Sequence, residues 1–270
     1  MSIPSESVDY IKPYTTPTLE ACTWIPFYWG TSLMVPFFFS QIIKNNDYLH
    51  SSVGLLLGLM SVGWGQIVTI AYHFLYNEIK WSKQHEKAVR VYFSQPEGFL
   101  LLGGYLSVYW LSGYMPLSYY SFSGGIYWNH VIYQLLLQDA LQYGMHRIEH
   151  LVPFLYKFCH KHHHTHKEPK ILDAFDGTIA DTTCMILIPL CITSRCIHTN
   201  VWSYMVFGTL YANMLTLIHS EYEHPWDPYA RMIWIGTAEN HRVHHKMFKW
   251  NYGHIFTIWD WSYNTFFEVS

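Results

Sequence analysis

Charged side chains are scarce in this chain of 270 residues: Asp, Glu, Lys and Arg make up 13% of it, whereas hydrophobic residues make up 50% and aromatic residues 19%. A soluble domain usually carries about 25% charged residues. The chain therefore has too few charges to cover a soluble globular surface, and its composition favours a membrane protein. Its formal net charge of −3 gives no attraction for nucleic acid, and we expect no nucleic-acid partner.

Cysteine is also infrequent and forms no metal-binding pattern. The five cysteines include no Cys-x-x-Cys pair, and pairing them would leave one over. This pattern favours buried thiols in a reducing compartment over disulfides. The N-terminus lacks a basic segment that runs into a short apolar core, so we expect no cleavable signal peptide. A Pro/Gly/Ser-rich linker is absent too, so no boundary between soluble domains is indicated.

Long apolar runs are present instead. A spanning helix needs about 20 mostly apolar residues. Runs that approach this length occupy residues 24–43, 53–76, 98–115 and 126–143. A polar turn at residues 44–47 joins the first two. A fifth apolar region, residues 184–218, is interrupted near residues 193–198, and it is either a re-entrant hairpin or two further spans. The pattern predicts an all-α integral membrane protein with about four transmembrane helices and a helical cap.

The side of the membrane on which the cap lies follows from the positive charges. The loop after the second span carries Lys80, Lys83, Lys87 and Arg90. Basic loops between spans stay in the cytosol. Two further crossings return the chain to the same side before His146, so we expect the histidine-rich cap to face the cytosol.

Three histidine motifs carry the chemistry of the cap. The first has the spacing HxxxH, and the second and third share the spacing HxxHH. Their residues are His146 and His150, then His160, His163 and His164, and finally His241, His244 and His245. Residues four apart share a helix face, so two imidazoles of one motif can reach one metal ion. Imidazole suits zinc, copper, iron and nickel alike. Because these eight histidines exceed the four ligands of a structural zinc site, the sequence predicts two metal ions.

The order of these motifs resembles the fatty acid hydroxylase/sterol desaturase superfamily of membrane di-iron enzymes. The resemblance covers residues 139–267, about half of the chain. It extends to the segment between the first two motifs, which includes residues 155–157. The closing segments, residues 244–253 and 259–261, are most similar to those of sterol 5-desaturases.

The resemblance implies an enzyme in which two non-haem iron ions and O2 oxidise a lipid. Electrons would come from NAD(P)H through cytochrome b5 and its reductase, and the protein would be a multi-pass protein of the endoplasmic reticulum membrane. Residues 126–270 would form the catalytic region and residues 1–125 the N-terminal membrane spans. A sterol is the expected substrate and 5-desaturation the expected reaction. The alternative is a hydroxylating member, such as a 4-methylsterol monooxygenase, a cholesterol 25-hydroxylase or a sphingoid-base or fatty acid hydroxylase. A membrane metal transporter is the rival outside the class, but it should carry ionisable groups in mid-span, whereas these motifs lie at span ends.

One departure from the superfamily concerns a short His-Pro-x-acid motif after the second histidine motif. Residues 177–181 keep the acid, Asp181, but have Thr178 where the histidine is expected. We therefore expect His219, which follows the fifth apolar region, to complete the metal ligands, and His224 to stay outside them. Carboxylates often orient ligating imidazoles, and we expect this role of Asp181 and of Asp139, Glu149 and Glu239.

Overall fold

The protein is described by a computed structural model that covers residues 17–43, 50–95, 98 and 100–268. Within these residues the chain is helical, and its extended pairing is limited to an isolated β-bridge between Ile235 and Phe256. The prediction of an all-α protein is confirmed. The polar turn predicted at residues 44–47 and the N-terminal residues 1–16 lie outside the described residues.

The main helices follow one another along the chain. They are α1 (Pro17–Ser32), α2 (Met34–Ile42), α3 (Ser51–Tyr76), α4 (Lys83–Ser94), α5 (Leu101–Leu111), α6 (Trp128–Leu151), α7 (Ile179–Cys196), α8 (Val201–Leu217), α9 (Asp227–Met232), α10 (Ala238–Met247) and α11 (Ile258–Ser262). Helix α7 contains a π-helical turn at Thr183–Leu187. Short helical turns fill the segment between α6 and α7.

Among the residues that the structure describes, two helices, α3 and α7, are long and apolar enough to cross a membrane. Helix α3 agrees with the predicted span at residues 53–76. The predicted span at residues 98–115 contains the shorter apolar helix α5. In the fifth region the helix continues past the expected break near residue 193 and ends at Cys196, and α8 begins at Val201. A count of four spans stays a prediction.

The predicted span at residues 24–43 is divided between α1 and α2. Pro36 explains the break, because proline has no N–H to donate to the carbonyl of residue 32 and its ring collides with that carbonyl. Helix α1 accordingly ends at Ser32, and α2 restarts at Met34.

Helices α3 and α8 pack along each other at the centre of the fold. Small side chains permit the close approach: a Cβ on Gly65 would lie 2.7 Å from Cγ2 of Thr209. A hydrogen bond of 2.7 Å joins the hydroxyls of Ser61 and Thr209. Small and hydroxylated residues are the usual means by which helices associate in lipid, so this pair forms a scaffold within the apolar part of the molecule.

Helix α6 extends the predicted span at residues 126–143 to Leu151 and carries the first histidine motif. Gln134, Gln138, Gln142 and His146 are spaced by four residues, so they lie on one face, and all four are buried. The hydroxyl of Tyr211 in α8 accepts a hydrogen bond from Gln138 and donates one to Gln142. This polar face leads along α6 to the histidines.

Candidate metal centre

The first histidine motif lies on the last two turns of α6. His146 and His150 point the same way because they are four residues apart, and their ring centroids are 5.1 Å from each other. Nδ1 of His146 lies 2.8 Å from the carbonyl oxygen of Tyr252. That contact fixes the ring and turns its Nε2 toward the other histidines.

The second motif does not lie on a regular helix, although its spacing was interpreted with helix geometry. A π-helical turn at Tyr156–His160 is followed by a 3-10 turn at His163–Thr165. The third motif lies on α10. Consecutive residues of a helical turn point about 100° apart, and both motifs accordingly direct neighbouring histidines to different sites.

The nine histidines predicted as ligands come together in two groups, in which eight of the residues are buried and His150 is half-buried. Within each group the candidate ligand nitrogens all lie within 4.8 Å of one another. The first group contains His146, His150, His160, His164 and His244, and the second contains His163, His219, His241 and His245. His219 thus joins the second group, whereas His224 stays outside both, with its Nδ1 3.1 Å from the hydroxyl of Tyr72.

The hydrogen-bond partners of the Nδ1 atoms indicate what the groups are suited to bind. Nδ1 faces an oxygen that only accepts hydrogen bonds in six of these rings, namely His146, His160, His163, His219, His244 and His245. These rings therefore carry their proton on Nδ1, and Nε2 presents a lone pair.

Nε2 atoms of such rings nevertheless face each other. They lie 3.0 Å apart between His146 and His160 in the first group, and 3.4 Å apart between His163 and His219 in the second. Two lone pairs at that distance repel unless a cation lies between them. Nitrogens bound to one metal at roughly 2.1 Å and about a right angle are about 3 Å apart. Both groups therefore fit a metal ion.

Burial favours the neutral form of His150, His163, His219 and His241. It is the largest cause of the lowered pKa of His150, to about 3, and of His163, to about 4, and neighbouring histidines add to the effect. The pKa of His219 and His241 is held well below the ordinary value for the same reasons. A neutral ring is the form that binds a metal, so these histidines can bind a metal ion at neutral pH without first losing a proton.

Two carboxyl groups lie beside the first group. Asp181 accepts the Nδ1 proton of His160 at 2.9 Å, as expected. Glu149 lies 3.7 Å from the same atom and makes no hydrogen bond to it, so the expectation that Glu149 orients a histidine is wrong. Burial and the adjacent Asp181 raise the pKa of Glu149. Thr178 caps the start of α7 by accepting the N–H of Asp181. The departure from the His-Pro-x-acid pattern therefore leaves Thr178 with a role in positioning Asp181.

The expectation for the other two carboxylates is wrong. Asp139 accepts the backbone N–H groups of Ile255 and Phe256, and Glu239 pairs with Arg231 at 3.1 Å. Neither of them orients a histidine of the two groups.

Two cavities approach the centre. A small one, of about 50 Å³, is bordered by His160, His163 and His219, and it has room for a small molecule such as dioxygen or water. A larger one is lined almost entirely by apolar atoms of α3, α5, α7 and α8. The two share three wall residues: Phe175, Ile186 and Leu215. An apolar compartment therefore adjoins the histidine groups.

The part of the chain that contains this centre matches a known protein family. The profile of the family described as Fatty acid hydroxylase matches residues 131–265, half of the chain. The chain belongs to the fatty acid hydroxylase family. The matched segment begins in α6, ends after α11 and includes every histidine of the two groups. This match confirms the family resemblance predicted from the three histidine motifs. Membership of this family makes the protein a lipid-modifying oxidoreductase.

Relatives of this fatty acid hydroxylase family member act on sterols or related lipids. It is 40% identical over 253 residues to an alternative squalene epoxidase of Phaeodactylum tricornutum, in a match that covers 85% of this chain and 73% of the relative. It is 27% identical to a cholesterol 25-hydroxylase of Rattus norvegicus, over 49% of this chain and 45% of that protein. It is 23% identical to a putative Δ7-sterol-C5(6)-desaturase of Arabidopsis thaliana, over 48% and 46%. No solved structure matches the chain.

One histidine of the centre was missed by the sequence reasoning. His254 is buried between the two groups and borders the small cavity. It belongs to no motif of paired histidines, so spacing could not indicate it. The available signal was its position in the closing segment of the family, after Tyr252 and Gly253 and shortly before Trp259 and Asp260.

Proposed function

We propose that this protein is a membrane-bound di-iron oxygenase that adds one oxygen atom of O2 to a double bond of a long isoprenoid hydrocarbon of the squalene type. The nine histidines of the two groups are the proposed ligands of two non-haem iron ions. The reaction consumes the lipid, O2, two electrons and two protons, and it releases the epoxide and water.

The observation that carries this proposal is the contact between the apolar cavity and the histidine centre. The walls of the cavity come from four helices, and Gln66, Tyr204 and Tyr211 are among its few polar side chains. A hydrocarbon without a charged head group suits such a lining, because a polar or charged group placed there would lack hydrogen-bond partners. Phe175, Ile186 and Leu215 would then lie where the bound lipid approaches the metal ions.

The extent of the relationship to the squalene epoxidase also supports epoxidation. A match over 85% of 270 residues leaves out only about 40 residues. It therefore includes α3, α7 and α8, the helices that line most of the apolar cavity. The sterol-modifying relatives described above match only about half of this chain. The helices that line the apolar cavity are thus similar to those of the squalene epoxidase. This similarity favours epoxidation over the 5-desaturation that the closing segment alone indicated.

Iron held by the two groups would supply the activation of dioxygen, a chemistry for which side chains alone have no equivalent. The protein's own residues would hold the ions through neutral imidazoles, keep water out and orient the lipid. Asp181 would fix the ring of His160 in the form that leaves Nε2 free, as carboxylates do beside metal-bound histidines.

The electron supply and membrane arrangement are part of the same proposal. We propose that NAD(P)H supplies the electrons through cytochrome b5 and its reductase, and that the histidine centre faces the cytosol at the endoplasmic reticulum membrane. The basic loop with Lys80, Lys83, Lys87 and Arg90 supports this orientation. A glycosylation acceptor placed beside Lys167 should stay unmodified in microsomes, and its modification would contradict the orientation.

Oxidation of a sterol is the second candidate, in the form of 5-desaturation or hydroxylation. The closing segment favours it, because Asn251–Gly253 and Trp259–Asp260 are similar to sterol 5-desaturases. The two candidates differ in their products: desaturation adds no oxygen atom to the lipid, whereas epoxidation and hydroxylation add one.

A substrate competition separates the candidates. Microsomes that contain the protein are given squalene and a sterol with a Δ7 double bond in equal amounts, with NADPH, and the lipids are analysed by mass spectrometry. We expect an epoxide of squalene to form, and not to form with the His244→Ala variant. Conversion of the sterol alone would replace the proposal with the second candidate.

A further inference from the structure

His254 lies between the two histidine groups, although neither group includes it. Its ring centroid is 4.8 Å from that of His146 in the first group and 5.4 Å from that of His241 in the second. Its nitrogens do not complete either set of mutually close ligand atoms. His254 is therefore placed beside both candidate metal sites without being a ligand of either.

One ring nitrogen of His254 lacks a hydrogen-bond partner, as Nδ1 of His164 and of His241 also does. The His254 side chain is 5% exposed, and its Nδ1 is buried and has no hydrogen-bond partner among the described residues. Buried polar atoms in folded proteins are nearly always hydrogen-bonded, because an unmade bond leaves the cost of desolvation uncompensated. The ring also borders the small cavity together with His160, His163 and His219. A reactant in that cavity would lie against the imidazole ring.

The backbone around His254 is held from both sides. Asp260 accepts the N–H groups of Tyr252 and Gly253, each at 2.8 Å. Asp139 accepts the N–H groups of Ile255 and Phe256, at 2.8 and 2.9 Å. Four hydrogen bonds to two buried carboxyl groups thus fix the residues on either side of His254.

Gly253 shows how closely this segment is folded. A Cβ at this position would lie 2.4 Å from the carbonyl oxygen of Phe256 and 2.8 Å from a carboxyl oxygen of Asp260. Only glycine fits there. The position of the His254 ring is therefore set by rigid backbone and not by a mobile loop, which is the arrangement expected of a residue that must hold a reactant.

We propose that His254 is a positioning residue that hydrogen-bonds the oxygen reactant in the small cavity and directs it to the lipid. This inference rests on the proposed function. In the productive reaction the lipid, O2, two electrons and two protons give the oxygenated lipid and water. In the unproductive one O2, two electrons and two protons give hydrogen peroxide, and the lipid is unchanged. His254 favours the first outcome over the second.

The test compares His254→Leu, which keeps the volume but removes both polar atoms, with His254→Gln, which keeps a donor and an acceptor. The exposed His198 provides a matched control as His198→Leu. Iron per chain and the ratio of peroxide to oxygenated lipid are measured for each protein. We expect unchanged iron in all variants and a rise in the ratio of about tenfold in His254→Leu, the effect of one lost hydrogen bond. His254→Gln should lie near the wild-type protein, and His198→Leu should match it.

A binding measurement provides a readout that needs no turnover. Azide is titrated into the oxidised iron-loaded proteins as a probe for a small hydrogen-bond acceptor beside the metal ions. Its Kd should rise about tenfold in His254→Leu and much less in His254→Gln. Loss of about one iron ion per chain in His254→Leu would make His254 a ligand and overturn the proposal, as would an unchanged peroxide ratio or azide affinity. A wild-type protein without iron or without lipid oxidation would instead contradict the proposed function.

Discussion

Nε2 of His219 lies 3.4 Å from Nε2 of His163, although 56 residues separate them in the sequence. His219 also lies 3.0 Å from Nε2 of His241, and its Nδ1 proton is donated to the carbonyl oxygen of Leu215 at 2.7 Å. A residue outside the three histidine motifs is thus central to the second group. It connects the end of α8 with the second and third motifs.

Replacement of His219 by Ala should remove the second metal ion. The group would lose one of its four nitrogens, and we expect iron to fall from two ions to about one per chain, with loss of lipid oxidation. The control is His224→Ala, since His224 follows the same helix but lies outside both groups and should keep both ions. Iron measured by mass spectrometry on purified protein gives the result. A full complement of iron in His219→Ala would remove this residue from the ligand set.

Thr178 stands where the family pattern has a histidine, and substitutions of Thr178 test what this residue does. Its hydroxyl donates to the carbonyl oxygen of Cys159 at 2.9 Å and accepts the N–H of Asp181 at 3.1 Å. Thr178→Ala should lower the stability of the protein by about 1 kcal/mol, the usual effect of losing a helix cap, and should leave the iron in place. Thr178→Ser should behave as the wild-type protein. Thermal unfolding in detergent measures the change, and loss of iron from the Ala variant would show that Thr178 does more than cap α7.

Asp181 is expected to act through His160. With Asp181→Ala the Nδ1 proton of His160 loses its acceptor, and we expect the affinity for iron to fall about 10–100-fold, as for other residues that orient metal-bound histidines. Asp181→Asn keeps an oxygen that can accept the proton, so its loss should be smaller. Chelator competition measures both affinities. Equal affinities in the Ala variant and the wild-type protein would contradict this role.

The buried histidines predict how stability depends on pH in the metal-free protein. The pKa of His150 is lowered to about 3 and that of His163 to about 4, while in the unfolded chain both lie near 6.5. Below pH 6.5 the unfolded chain therefore binds more protons than the folded one, and the folded state loses stability as the pH falls. After chelation of the metal, the unfolding midpoint should be nearly constant between pH 8 and 7 and should fall from pH 6.5 to 5. A constant midpoint down to pH 5 would be inconsistent with neutral buried rings.

Local patterns in the sequence predicted much of the centre. His146 and His150 share a group because a regular helix places residues four apart on one face, and the same rule brings His241 and His245 together. The distribution of His163 and His164 between the two groups could not be predicted. It depends on a π-helical turn and a 3-10 turn that HxxHH spacing does not encode.

Other features depend on contacts between distant residues. Asp139 holds the backbone of Ile255 and Phe256, more than 110 residues away, whereas the sequence suggested a role beside a histidine. The same backbone places His254 between the two histidine groups, a position that no spacing of paired histidines indicates. In the membrane region, hydropathy located the apolar run at residues 24–43, but the local effect of Pro36 divides it into α1 and α2.

The most direct test of the di-iron oxygenase proposal is the fate of the oxygen atoms. Purified iron-loaded protein is given squalene, NADPH, cytochrome b5 and its reductase under ¹⁸O2, and the lipid product is weighed by mass spectrometry. We predict a product that carries one ¹⁸O atom, and no labelled product from His244→Ala. A product labelled only when ¹⁸O is supplied as water, or no oxygenated product from the iron-loaded protein, would contradict the account.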